Sequence, residues 1–189
     1  DRFTRWRQRY PVRFAAGCES QVLDAFNLIR FLALRRKDAI AITWAADKGT
    51  HIAWGTSKGK RHRREAVIPI LPEARIFLDE LKRKNSKSVT MLATRKGTPW
   101  TDEGSITRAF RQRWLEILGY DAEGEAPETP TPHRLRNNAA TAYIMAGLDD
   151  RTIADAMGWS AKDVEQMRRV YVDREAVVSA AVIRLRDAR

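Results

Sequence analysis

Residues 129–173 read TPTPHRLRNNAATAYIMAGLDDRTIADAMGWSAKDVEQMRRVYVD, and their punctuation is that of three consecutive helices. Thr131 and Pro132 suit an N-cap and a first helical residue, and the helix they open runs through Leu135, Ala139, Ala142, Tyr143 and Met145 to Gly147. Asp149 caps a short second helix with Ile153, Ala156 and Met157 inward and Gly158 as its stop. Ser160-x-x-Asp163 has the spacing of a capping box, with Asp where Glu or Gln is usual, and opens a third helix that reaches Tyr171. His133 and Arg136 stand three apart on one face at the positive end of the first helix, where oxyanions bind well. A His-x-x-Arg pair and a following tyrosine suggest chemistry on a phosphate. Spacing leaves two readings of Tyr171. It shares a helical face with Val164 and Met167, the usual mark of core packing, or it is a nucleophile. Tyr143, two turns beyond Arg136, stays open as an alternative.

The composition fits that suggestion. The 35 Lys and Arg against 24 Asp and Glu leave a net charge of +11, which favours a polyanionic partner because each neutralised phosphate releases a counterion. At 189 residues the chain fits one domain, or a domain with a short leading segment, and can bury a real core. No apolar run approaches the roughly 20 residues a spanning helix needs, and no signal-peptide pattern opens the chain, so a cytoplasmic setting is expected. A single cysteine, Cys18, excludes an internal disulfide and, with only 3 His, argues against a structural zinc site.

Upstream, residues 1–19 are basic and aromatic without a clear period and read as an arm or the remnant of a linker. From Ser20 a helical pattern sets in, with Val22, Phe26, Ile29 and Ala33 recurring at intervals of three and four. Arg35-Arg36-Lys37-Asp38 follows, and Asp38 is placed to orient Arg35 across one helical turn. A strand, His51–Thr56, then a basic turn carrying Lys58, Lys60, Arg61, Arg63 and Arg64, then a return through Ala66–Ile70, read as a hairpin suited to a DNA backbone. A helix from Pro72 is expected to turn Ile76, Phe77 and Leu81 inward, and Val89–Ala93 to form a short buried strand. Thr101-Asp102-Glu103 caps a helix through Ile106, Phe110, Trp114, Ile117 and Leu118, closed by Gly119. Residues 120–131 form a polar loop. The last stretch, from Arg174, is helical with Val177, Val178, Ala181, Val182 and Leu185 on one side, a face made to dock on something.

Taken together, several blocks resemble the catalytic domain of the tyrosine recombinase, or phage integrase, family. They are Arg35-x-x-Asp38 with Ile40–Trp44, Lys58 before a basic turn, Ile68-Pro69-Ile70, His133-x-x-Arg136, Met157-Gly158-Trp159-Ser160 and Tyr171. The match runs from about Ser20 to the C-terminus. It implies a mainly α-helical α+β fold with a small antiparallel sheet, residues 20–189 forming the catalytic domain with a docking helix at about 174–187. It implies that Arg35 and Arg136 hold the non-bridging oxygens of a scissile phosphate and that Lys58 protonates the leaving 5′-oxygen. His133 would assist proton transfer from the nucleophile, Trp159 donate a hydrogen bond through its indole nitrogen, and Tyr171 attack. Asp38 would support Arg35, while Lys60, Arg61, Arg63, Arg64 and Arg134 would hold the DNA backbone. No metal or nucleotide cofactor is implied. The expected partners are double-stranded DNA and three further copies in a tetramer joined by exchange of the C-terminal helix. A separate N-terminal DNA-binding domain, usual in the family, is not visible, which reads as a catalytic fragment.

Three departures from the family pattern stand out. The usual Thr-Gly before the first arginine is replaced by Leu32-Ala33-Leu34, so Arg36 stays a rival to Arg35, with Asp38 and Trp44 favouring Arg35. Gly-Trp stands for the usual Gly-His, leaving a donor but no base. Tyr171 follows Trp159 at slightly more than the commonest interval, and Tyr143 falls where the family usually has an apolar core residue, which favours packing for it. Two rival functions share the fold: a topoisomerase relaxing supercoils by the same chemistry, and a catalytically silent DNA-binding regulator.

Overall fold

The computed structural model describes residues 17–18, 20–55, 65–119, 131–172 and 174–187, with the side chains of Leu118, Tyr171 and Arg174 outside that description. Nearly all of the residues 1–19 read as an N-terminal arm, the basic turn carrying Lys58, Lys60, Arg61, Arg63 and Arg64, and nearly all of the polar loop 120–131 therefore lie outside the described residues.

Helix α1, Ser20–Leu32, buries Val22, Ala25, Phe26, Leu28, Ile29 and Leu32, a stripe wide enough to sit at the centre of the core. It stops abruptly. Ala33 has φ 52, the left-handed conformation that costs a residue bearing a Cβ about 1–2 kcal/mol. This is the position where the resemblance expects glycine, and the turn is kept without it. The reversal frees the carbonyls of the last turn for two long-range partners: the Tyr143 hydroxyl donates to Phe31 O at 3.0 Å, and the Arg136 guanidinium donates to Ala33 O. A branched side chain at this buried, left-handed position has nowhere to go. Ala33→Val is therefore expected to lower stability by about 2–4 kcal/mol through strain and overpacking. Ala33→Gly should stay within about 1 kcal/mol of the parent. Denaturant unfolding of the two variants checks both.

Past the reversal, Arg35 takes the N-cap position of the short helix α2, Arg36–Ala41, and a 3-10 turn follows at Trp44–Ala46. Strands β1, His51–Gly55, and β2, Glu65–Pro69, pair antiparallel with Ile52 opposite Ile68 and Trp54 opposite Ala66. Ile52, Ile68 and Ala66 are buried, so one face of the hairpin joins the core as the alternation predicts. Strand β2 begins at Glu65 rather than Ala66, and Ile70 adds one further bond to Thr50 O at 3.0 Å.

Two expectations are corrected. Helix α3, Pro72–Lys84, turns Ala74, Leu78 and Leu81 inward, while Phe77 is only partly buried and Ile76 is 63% exposed. The intervals of four and three from Ala74 define the buried face, and Ile76 falls opposite it. Val89–Ala93 is not a regular strand. Met91, Leu92 and Ala93 are buried, but Val89 is 75% exposed, and the segment makes only the isolated bridges Thr43 with Thr90 and Ala93 with Pro99. The partner chain turns into the 3-10 helix directly after Thr43, which leaves no strand to continue the ladder.

Helix α4, Glu103–Leu118, is capped by Asp102 accepting from Gly104 N and closed by Gly119 at φ 68. Its stripe of Ile106, Phe110 and Trp114 is fully buried, with Phe110 edge-on to Phe26 at 5.7 Å. Helices α5, Pro132–Met145, α6, Asp150–Met157, and α7, Ala161–Tyr171, start at Thr131, Asp149 and Ser160, whose side chains accept from the backbone nitrogens of Arg134, Thr152 and Asp163. The Ser160–Asp163 capping box is complete. Helix α8, Arg174–Asp187, packs on α5, and its Arg184 guanidinium donates to Met145 O at the negative end of that helix. Of the apolar stripe expected on α8, Val177 packs against the core while Val178, Val182 and Leu185 remain exposed.

Candidate active site

The fold gathers the start of α2, the start of α5, the α6–α7 turn and one face of α7 around a cleft of about 800 Å³. Arg35, His133, Arg136 and Trp159, spread over more than half the sequence, all line it.

Arg136 is the most constrained of them. At 7% exposure it is buried, and its two terminal nitrogens donate separately to Ala33 O and Met157 O. Both carbonyls are left free by left-handed turns, at Ala33 itself and at Gly158, φ 58, just after Met157. The guanidinium is thus pinned between the ends of α1 and α6. Burial, and next the neighbouring Arg35, lower its pKa to about 10, which still leaves it charged at neutral pH.

Arg35 lines the same cleft, close enough to act on Arg136 electrostatically. Its Nη1 lies 4.0 Å from Asp38 Oδ2, the pairing across one turn that the spacing suggests, and its Nη2 approaches the backbone at Gly158. Asp38 is 3% exposed and also accepts from Trp54 Nε1 at 3.4 Å. Its carboxylate, set between Arg35 and the hairpin, favours the charged form of Arg136 as well. Two guanidiniums and one buried carboxylate leave the cleft with excess positive charge. The adjacent Arg36 lines the same cleft but is directed elsewhere, donating to Thr107 Oγ1 on α4 at 3.0 Å.

His133 is exposed at the lip of the cleft, in the first turn of α5, and Trp159 is half-buried in its wall, its backbone nitrogen bonded to Ala154 O at 2.9 Å. Arg134 belongs to the same first turn as His133 but does not line the cleft. Helix α7 turns Gln166, Met167 and Val170 toward the cleft and ends at Tyr171, whose side chain lies outside the description. Lys58, Lys60, Arg61, Arg63 and Arg64 lie in the undescribed segment between Gly55 and Glu65. Tyr143 is a core residue: fully buried, with its hydroxyl bonded to Phe31 O and burial raising its pKa well above that of an ordinary phenol.

Lys37, Asn137 and Gln166 also line the cleft and were not singled out by sequence. Among the described residues no cluster of His, Cys, Asp and Glu suits a metal ion, and no helix is long and apolar enough to cross a membrane.

A family model described as the phage integrase family matches residues 16–176. No curated protein matches the chain. Among solved structures, XerA recombinase is similar with a TM-score of 0.66 at 14% identity, over 94% of this chain and 63% of that one. A lambda integrase dimer bound to a COC′ core site gives 0.64 at 21% identity, over 83% and 56%. The Tn1549 transposon integrase with transposon right-end DNA gives 0.62 at 16%, over 95% and 64%. The chain spans less than two thirds of each of these three. At these identities the likeness establishes the fold, a mainly helical domain with a small antiparallel sheet.

Proposed function

Because the chain belongs to the phage integrase family, we propose that it is the catalytic domain, about residues 20–189, of a site-specific DNA recombinase working through a covalent 3′-phosphotyrosine. The observation that carries this reading is the pair Arg35 and Arg136 in one cleft, with Arg136 fixed by two backbone carbonyls. Two forks held before any substrate arrives suit a phosphate whose charge grows in the transition state, because no reorganisation is then needed.

In the reaction the Tyr171 hydroxyl oxygen attacks the scissile phosphorus as the bond from phosphorus to the 5′-oxygen breaks. The phenol proton passes to His133, and Lys58 delivers a proton to the leaving 5′-oxygen. Arg35, Arg136 and the Trp159 indole N–H donate to the non-bridging oxygens, and Asp38 steadies Arg35. A 5′-hydroxyl from a second strand reverses the step, so the bond energy is conserved and neither metal nor nucleotide is consumed. A phenol with a pKa near 10 becomes a competent nucleophile here through the positive field of the cleft.

The partner is double-stranded DNA, with the basic turn at Lys60, Arg61, Arg63 and Arg64, and Arg134, along the backbone. A lambda integrase tetramer bound to a Holliday junction is among the similar structures, and the exposed Val178, Val182 and Leu185 support four copies joined by exchange of α8. A further DNA-binding domain would complete the clamp, and a cytoplasmic, nucleoid-associated setting follows from the substrate.

Single-turnover cleavage of duplexes selected by binding, followed by product analysis, tests the reading. Strand exchange between two duplexes is expected. Relaxation of supercoils without exchange would assign a topoisomerase, and binding without cleavage a silent regulator. In the same assay Arg35→Ala is expected to slow cleavage by about 10²-fold or more, as loss of a preorganised donor does, and Arg36→Ala by less than about tenfold. The reverse order would transfer the role to Arg36.

A further inference from the structure

Among the cleft residues that the proposed chemistry leaves unused, Lys37 and Gln166 are exposed and Asn137 is buried. Asn137 is only 9% exposed, lines the cleft next to Arg136 and one turn beyond His133, and makes no side-chain hydrogen bond among the described residues. Its backbone carbonyl is occupied, accepting from Thr141 Oγ1 at 3.2 Å, which leaves the side-chain amide as its open polar group. The amide is not among the fully buried polar atoms left without a partner, so its polar end still reaches the open space of the cleft, where an occupant can meet it.

The neighbourhood decides what that occupant offers. Arg35 and Arg136 line the cleft beside Asn137 as donors, and of the two lining carboxylates Asp163 is engaged by Ser160 in the capping box while Glu103 belongs to the first turn of α4. An amide NH₂ among such donors meets an acceptor. A bond to the His133 ring is the obvious alternative, but His133 is exposed at the lip while Asn137 is buried beside Arg136, and the two are not bonded. We propose that the Asn137 amide donates a hydrogen bond to a non-bridging oxygen of the scissile phosphate, making it a further catalytic residue. This rests on the reading of the cleft as a phosphate site.

The test is single-turnover cleavage at saturating DNA with three substrates: the native phosphate and the two methylphosphonate diastereomers at the scissile position, each replacing one non-bridging oxygen by methyl. Asn137→Ala is expected to slow native cleavage by about 10²-fold with DNA affinity little changed. On the diastereomer that lacks the contacted oxygen this defect should disappear, and on the other it should persist. Asn137→Asp, nearly the same shape but anionic, should be slower than Asn137→Ala on the native phosphate. A structural role instead slows all three substrates alike and follows the shift in thermal midpoint, which overturns the inference while wild-type cleavage stands. Failure of the wild type to cleave at all overturns the phosphate-site reading, and the inference with it.

Discussion

Arg136→Ala is expected to abolish cleavage within the limits of measurement, at least 10³-fold, and to destabilise the protein as well. The two effects have separate origins. The guanidinium donates to Ala33 O and Met157 O, so its removal leaves two buried carbonyls without donors, each costing about 1–3 kcal/mol. Part of that is offset, because a desolvated cation next to Arg35 disappears too. A net loss of about 2 kcal/mol is expected from denaturant unfolding, large but compatible with a folded protein. The rate loss exceeds what stability explains, because one fixed donor facing developing negative charge accounts for about 10²–10³ and Arg136 offers a fork. Arg136→Lys separates charge from geometry. A lysine keeps the positive charge but cannot reach both carbonyls and a phosphate from one planar group, so it should recover little of the rate. Recovery to near wild type would mean that only the charge matters.

Much of the fold was legible because helix ends are written locally. Asp102, Thr131, Asp149 and Ser160 each cap the helix their side chains suggested, and Gly119 and Gly158 stop helices at positive φ. Where the reading failed, a non-local fact was missing. Ile76 looked inward because an apolar residue near a helix start suggests a buried face, but the contact of α3 with α1 fixes Ala74, Leu78 and Leu81 instead. Val89–Ala93 has strand composition, yet the chain that would pair with it bends away after Thr43.

The site was legible in a different way. No local rule joins Arg35 to His133 or Trp159, and their meeting in one cleft was expected only from the resemblance. The reason Arg136 is rigid was not readable at all, since it depends on the carbonyls of Ala33 and Met157, two left-handed turns distant in sequence. Asn137 was passed over because an amide in a helix has no signature until its burial is known. Tyr143 illustrates the converse: spacing alone left it open as a nucleophile, the resemblance favoured packing, and its complete burial with a bond to Phe31 O makes it a core residue.

Tyr171→Phe carries the other largest effect, a complete loss of covalent chemistry with no loss of DNA binding. The substitution removes one hydroxyl from the end of α7 and leaves the ring, so folding and affinity should both survive. Among the described residues the other tyrosine, Tyr143, offers no second nucleophile, because it is sealed in the core and its hydroxyl is already bonded. The most direct measurement is therefore trapping on a nicked duplex, in which the 5′-hydroxyl fragment diffuses away after cleavage and the protein stays attached to the DNA 3′ end. The wild-type protein should give a denaturant-stable protein–DNA adduct whose modified peptide contains Tyr171, and Tyr171→Phe should give none while still binding the duplex. An adduct that persists in Tyr171→Phe, or that maps to another residue, would contradict the account.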